Sequence, residues 1–250
     1  MPRLAAGLAV ALVAAGIAGC GGSDQQQLRV SAASSLQDAF TEYARSSFPG
    51  EAIHQSFAGS DQLAAQIEQG AKPDVFASAN TRYPQMLHRE GLVEAPDVFA
   101  RNRLVLAVPA GSDIHSLSDV ARPGVSLVIG DPAVPVGSYT GEVLGRLPEG
   151  ERTAILANVR SREPEVSSIV GKLAEGAADA GFVYITDVRA SAGALRAIAL
   201  PGRLQPDVAY GIAAVTNAPD PDLARRFVQG LMPGGPGARL LQQAGFLPPG

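Results

Sequence analysis

From residue 28 onward, strand-like and helix-like segments alternate along this chain of 250 residues. The pattern predicts strands at 28–33, 52–58 and 74–78, each followed by a segment with apolar residues at helical spacing, at 36–47, 63–69 and 83–90. Parallel strands need a crossover connection, which a helix usually supplies. The alternation therefore predicts an α/β fold with largely parallel sheets covered by helices.

A second α/β unit is predicted between two long apolar strands, at 104–108 and 208–215. These two strands are interpreted as the crossings between two lobes, each a mixed, mostly parallel sheet flanked by helices. Lobe one is then predicted at 28–104 plus 214–250, and lobe two at 105–213. Lobes joined by two crossings form a hinge, and hinged lobes close around ligands.

The amino-terminal segment has the pattern of an export signal. Residues 4–17 are apolar and follow Arg3, and they are too short to span a hydrocarbon core of about 30 Å. The tetrapeptide IAGC at 17–20 resembles the bacterial lipobox, in which cleavage precedes the cysteine and the thiol is acylated. We therefore expect a signal peptide at 1–19, then lipidated Cys20 and a flexible tether at 20–27. The alternative is an ordinary secretory signal with an incidental cysteine.

Composition and motifs exclude several classes of function. The net charge of −4 and the absence of a basic run argue against a nucleic-acid partner. Three histidines and one cysteine show no spacing typical of a metal site. Neither the Gly-x-Ser-x-Gly elbow of hydrolases nor a glycine-rich phosphate or dinucleotide loop is present. The sequence therefore predicts neither an enzyme nor a cofactor.

Two serines stand where a predicted strand gives way to a helix. Ser35 follows the first strand and Ser60 follows the second. A helix start leaves up to four backbone N–H groups without partners and carries a partial positive charge. Two such starts side by side would form a neutral cage for an anion. The alternative is that both serines are ordinary helix caps.

An ordered set of motifs resembles the periplasmic molybdate-binding proteins of ABC importers: VSAASSL at 30–36, FAGS at 57–60, GDP and PVGSY within 130–139, and GFVY at 181–184. Segments at 66–71, 73–79 and 245–247 are similar to the same family, so the resemblance runs from about residue 28 to 247. It implies a two-lobed, periplasmic-binding-protein-like fold. It also implies a tetrahedral oxyanion held between the lobes by neutral donors, with no catalytic residue and no protein-bound metal cation.

The resemblance implies five oxyanion-binding residues. Two serines would each give a hydroxyl and an N–H group from lobe one, and lobe two would give two N–H groups and a tyrosine hydroxyl. Carried over to this sequence, these are Ser35, Ser60, Val136, Val166 and Tyr184.

Some details of this assignment stay open in the sequence. The loop before Val136 is short, so Gly137 or Val134 is an alternative N–H donor, and Ser34 is an alternative partner of Ser35. Asp61 follows Ser60 at a helix start, where a carboxylate would compete with an anion if it faced the site. Otherwise it would assist the cap and point to solvent.

The resemblance implies molybdate as the ligand, and tungstate because the two ions are close in size. Both carry no proton at neutral pH and accept at every oxygen, whereas phosphate keeps a proton and sulfate is smaller. The implied partners are an ABC permease and, through the lipid on Cys20, the outer face of the cytoplasmic membrane, with the protein a monomer on its periplasmic side. A receptor for sulfate, thiosulfate or phosphate, and a lipid-anchored anion sensor, are the alternatives.

Overall fold

The computed structural model describes residues 27–250, which form two five-stranded sheets flanked by helices. The predicted signal peptide, Cys20 and the tether up to residue 26 lie outside the described residues. Within residues 27–250, every helix is too short or too polar to cross a membrane.

The elements alternate largely as the sequence predicts. The strands are β1 Gln27–Ala33, β2 Ala52–Ala58, β3 Val75–Ser78, β4 Asp97–Asn102, β5 Leu104–Pro109, β6 Leu127–Gly130, β7 Val159–Glu163, β8 Ala180–Tyr184, β9 Leu195–Ala199 and β10 Val208–Ala214. The α-helices are α1 Gln37–Ser47, α2 Ser60–Glu68, α3 Arg82–Arg89, α4 Pro135–Gly145, α5 Glu149–Ala157, α6 Val166–Ala174, α7 Ile185–Ala190, α8 Pro221–Leu231 and α9 Pro236–Ala244. A 3-10 turn at Ser34–Leu36 precedes α1.

The two sheets have the same arrangement of parallel and antiparallel neighbours. The first is β2-β1-β3-β10-β4 and the second is β7-β6-β8-β5-β9. In the first sheet β1 pairs in parallel with β2 and β3, and in the second sheet β6 pairs in parallel with β7 and β8. The strands β10 and β5 run antiparallel to both of their neighbours. The predicted mixed sheets are confirmed, but parallel pairings make up half of each sheet, because β10 and β5 run against their neighbours on both sides.

The chain crosses between the sheets twice. Only Arg103 separates β4 in the first sheet from β5 in the second, and the return lies between β9 and β10. The sequence predicts the return at 213–214, but β10 belongs to the first sheet over its whole length, which puts this crossing before Val208. A fully buried apolar strand has the same pattern in either sheet, so its sequence does not show which sheet it joins.

The strands that the sequence does not predict are edge strands. β4, with the sequence DVFARN, and β7, with VRSRE, lie at the ends of their sheets and carry charged residues. An edge strand has one row of backbone groups without strand partners and tolerates polar side chains. Neither segment therefore has the apolar run that indicates a buried strand.

An aromatic cluster on lobe one holds the carboxy-terminal helix α8 in place. Phe227 of α8 is fully buried, with ring centroids 4.9 Å from Tyr43 and 5.7 Å from Phe40. The Tyr43 hydroxyl donates to the Phe227 carbonyl over 2.9 Å. The cluster thus joins α1 and α8, which are distant in sequence.

We expect Phe227→Ala to lower the free energy of unfolding by about 3–5 kcal/mol, because it leaves a cavity among these rings. Urea denaturation measures the change. Leu156→Ala, at a side chain that is 39% exposed, is the control and should cost less than about 0.5 kcal/mol. Equal effects of the two substitutions would contradict the role given to the cluster.

Candidate functional site

The parallel strands of both sheets end at one cavity between the lobes. In lobe one, the residues that line it follow β1, β2 and β3. In lobe two, they follow β6 and β7, and one of them ends β8. Ligands in open α/β sheets bind outside the carboxyl ends of the strands, so this is where the fold favours a site. The lining includes all five residues predicted from the sequence: Ser35, Ser60, Val136, Val166 and Tyr184.

Four helical starts point their amino-terminal ends at this cavity. They are the 3-10 turn at Ser34–Leu36 and the helices α2, α4 and α6. The first N–H groups of a helix have no partner inside it and carry a partial positive charge. None of the described residues that line the cavity is lysine or arginine. The partial positive charge that faces the cavity therefore comes from backbone dipoles and not from side chains.

Neither serine caps its helix. The cap residues are Ala33 and Gly59, and no side chain bonds to the free N–H groups of either start. The Ser60 hydroxyl oxygen, 1% exposed, accepts from the Ala79 N–H over 3.1 Å. The Ser35 hydroxyl lies 2.9 Å from the Tyr210 hydroxyl. Both serine oxygens are thus fixed from behind by partners that the sequence analysis did not identify.

At the start of α4, the sequence alone does not decide which residue would donate its N–H group to the cavity. The Val134 N–H already donates to the Asp131 carbonyl, and Pro135 has no N–H. Gly137 is absent from the cavity lining, and its Cα packs against the Asp131 carbonyl so closely that a Cβ would overlap it. Val136 lines the cavity and is the first residue of α4 with an N–H group.

Tyr184 places a polar atom without a partner beside the cavity. The residue ends β8 and is 1% exposed, and its hydroxyl has no hydrogen-bond partner among the described residues. Burial raises the pKa of this hydroxyl well above its usual range, so it keeps its proton at physiological pH. A buried hydroxyl without a partner is costly, and a ligand oxygen in the cavity would remove that cost.

Two acidic residues lie near the site. Asp61 is not among the lining residues, and its buried Oδ1 has no partner and lies close to Gly59, where the lobes touch. It therefore neither assists the cap nor points wholly to solvent. Glu165, which the sequence analysis did not identify, lines the cavity and is half-buried. Glu165 directly precedes α6, and no apolar or glycine-rich motif marks this position in the sequence.

Direct contacts hold the lobes together around the cavity. The Tyr83 hydroxyl of α3 donates to the Ala133 carbonyl of lobe two over 2.5 Å. Near the first crossing, the Asn102 side-chain amide donates to the Thr186 hydroxyl of α7 over 2.9 Å. A small cavity closed by contacts between two lobes is the architecture of a binding protein.

Comparison with known proteins agrees with this architecture. The family model "Bacterial extracellular solute-binding protein" matches residues 28–247. The chain belongs to this family, whose members are binding proteins and not enzymes, and whose extracellular location agrees with the predicted export signal.

Individual relatives also resemble the chain over its length. The molybdate-binding protein ModA of Mycobacterium tuberculosis is 35% identical, over 98% of each chain. The periplasmic molybdate-binding protein of Azotobacter vinelandii superposes with a TM-score of 0.79 at 22% identity, over 90% of this chain and 100% of that one. The sulfate-binding protein SubI of M. tuberculosis gives 0.74 at 16% identity, over 89% and 87%. The resemblance inferred from the motifs is thus confirmed as a similarity of sequence, and the predicted fold as a similarity of structure.

A buried carboxyl stands beside the site. Asp187 of α7 accepts from the Tyr184 N–H over 2.8 Å and lines a second cavity of about 440 Å³ with Asp38 and Arg189. Burial, with a smaller contribution from the Asp38 carboxyl, raises the pKa of Asp187 from 3.8 to about 7, and the bond from Tyr184 opposes the shift.

This pKa predicts that stability falls as pH rises. Between about 4 and 7 the folded protein keeps on Asp187 a proton that the unfolded chain has lost. The free energy of unfolding should therefore fall with rising pH by at most about 1.4 kcal/mol per unit, and level off above pH 7. Asp187→Asn should flatten this slope. Urea denaturation of both proteins from pH 5 to 8 measures it, and parallel profiles would contradict the assignment.

Proposed function

We propose that this protein captures molybdate between its lobes and presents it to an ABC permease. The observation that carries the proposal is the buried Tyr184 hydroxyl, which has no hydrogen-bond partner among the described residues and lies beside a cavity that Ser35, Ser60 and four helical starts also face. In this proposal the oxyanion accepts from Ser35 and Ser60, from the Val136 and Val166 N–H groups, and from Tyr184. The protein contributes no catalytic group and no cofactor.

A dianion can be stabilised here without a positive side chain. Each hydrogen bond to a charged acceptor is shorter and roughly twice as strong as a neutral one. Several such bonds, together with helix dipoles that converge on one point, replace the water that the ion loses. Donors at fixed positions also select for size, which lysine and arginine side chains do less strictly.

The choice of ligand rests on the relatives and on this donor set. The ModA relative from M. tuberculosis is described as molybdate-binding. A cavity lined by donors suits an ion that carries no proton, as molybdate and tungstate do at neutral pH. We therefore include tungstate in the proposal. A receptor for sulfate or phosphate would have the same fold, and the titration below separates these cases.

Calorimetric titration of the purified protein tests the proposal. We expect one molybdate per chain, with weaker binding of sulfate and phosphate at the same pH and salt. Tight binding of sulfate or phosphate with weak molybdate binding would keep the class of protein and reject the ligand. No heat with any of the ions would reject the site.

Substitution of the serines tests the site itself. Ser35→Ala and Ser60→Ala should each weaken molybdate binding by about 1–3 kcal/mol, or roughly 5- to 150-fold, because each removes a donor to a charged acceptor. Ser46→Ala, at an exposed position of α1, is the matched control. Full affinity in the double variant of Ser35 and Ser60 would reject the assignment.

The membrane anchor in this proposal is a lipid on Cys20. Two or more acyl chains hold a protein stably at a membrane, whereas one chain does so only marginally. We expect Cys20→Ala to move the protein from the membrane fraction to the soluble fraction of cells that express it, as fractionation and immunoblotting would measure. The same distribution for both proteins would mean that Cys20 does not anchor the chain. We expect the anchored protein to act as a monomer.

A further inference from the structure

A chain of buried polar groups leads from the first crossing to the Ser35 hydroxyl. The Asn102 amide nitrogen lies 3.4 Å from the Tyr210 hydroxyl, which lies 2.9 Å from the Ser35 hydroxyl. Tyr210 is fully buried on β10, and Asn102, at the end of β4, is 4% exposed. Neither residue lines the cavity, and neither belongs to the motifs that the sequence analysis identified.

The direction of the hydrogen bonds in this chain is fixed at Asn102. Its side-chain oxygen accepts from the Arg103 N–H over 2.8 Å, so its nitrogen faces Tyr210 and Thr186. An amide NH₂ group can only donate. The Tyr210 oxygen therefore accepts from Asn102.

Among the described residues, the Ser35 oxygen is the one acceptor at hydrogen-bond distance for the proton of Tyr210. If Ser35 donated to Tyr210 instead, the buried Tyr210 proton would lack an acceptor among the described residues, at the cost of an unsatisfied donor. Burial also raises the pKa of Tyr210, which keeps the hydroxyl protonated. Ser35 thus accepts from Tyr210, and its own proton is free to point into the cavity.

A backbone N–H group fixes the Ser60 hydroxyl as a donor to the cavity in the same way. Its oxygen accepts from the Ala79 N–H, which can only donate, and so its proton is also free for the cavity. Among the described residues, the Tyr184 hydroxyl has no partner at hydrogen-bond distance that would take its proton. The hydroxyls of Ser35, Ser60 and Tyr184 can therefore all donate to the cavity at once.

We propose that Asn102 and Tyr210 are positioning residues that fix Ser35 as a hydrogen-bond donor and thereby make the site favour fully ionised oxyanions over those that carry a proton. An O–H group on a bound oxyanion needs an acceptor, and hydroxyls committed as donors offer none, so a protonated ion depends on the side chains of Ser34 and Glu165, which also line the cavity. This inference rests on the proposed binding of an oxyanion, and it adds the residues that set the preference for a fully ionised one.

Comparison of two ions of similar size tests this inference. Sulfate is fully ionised at neutral pH, whereas phosphate keeps a proton. In Tyr210→Phe the Ser35 hydroxyl loses its donor and becomes free to accept. We expect molybdate and sulfate to bind about 10-fold more weakly, because a donor to a charged group is no longer oriented. Phosphate should weaken by less, so the preference for sulfate over phosphate narrows.

Asn102→Asp is the second variant, and it reverses the chain of hydrogen bonds. A carboxylate at this position accepts from Tyr210, which then accepts from Ser35, so that Ser35 no longer donates to the cavity. We expect a larger loss of molybdate and sulfate binding than in Tyr210→Phe, with phosphate retained best. Tyr43→Phe removes the bond from a buried tyrosine to the Phe227 carbonyl, away from the cavity, and is the matched control.

Binding constants for the three ions, from direct and competitive calorimetry, decide the outcome. Equal weakening of all three ions would mean that Tyr210 only supports the fold, and unchanged constants would mean that the chain does not act; either result overturns the inference. If the wild type prefers sulfate to molybdate, the proposed ligand fails, while the ratio of sulfate to phosphate still tests the inference. If the wild type binds none of the ions, both proposals are wrong.

Discussion

The structure depends on backbone N–H groups at helix starts that converge from two sheets on one small space. A single helix start is a weak anion site, because its dipole acts only near the first turn. Here four starts meet because the parallel strands of each sheet end on the same side and the two sheets face each other at those ends. Both lobes are needed to form the cavity, because neither sheet encloses it alone.

The two crossings couple the lobes to the site. Asn102 ends the last strand before the first crossing, and Tyr210 lies on the strand that follows the second. Asn102 also contacts Thr186 of lobe two. The residues that orient Ser35 thus lie where any relative rotation of the lobes is concentrated, whereas Tyr83 joins the lobes at the Ala133 carbonyl. A ligand can favour closure only through contacts that are better in the closed form. In the proposed site, lobe two would supply these through Tyr184, Val136 and Val166.

Some parts of the site could be read from the sequence and others could not. Ser35 and Ser60 are marked by their place between a strand and a helix, and Tyr184 by its motif at the end of β8. Tyr210 is hidden within an apolar strand, where an aromatic residue indicates only burial. The Ala79 N–H and Glu165 have no local signal, because their importance comes from what lies across the cavity. For a similar reason the sequence places the second crossing too far along the chain, since β10 is buried at all seven positions and its pattern suits either sheet.

The sequence by itself determined the α/β alternation, the second α/β unit and the serines at the strand ends, because these follow from local periodicity and from helix-start chemistry. The tertiary structure alone decided which sheet β10 joins, that all five predicted residues line one cavity, and that the Ser35 hydroxyl lies beside that of Tyr210. These features arise between segments up to 175 residues apart, as Ser35 and Tyr210 are. No local pattern encodes them, because a hydrogen bond across the fold depends on the positions of both partners in space.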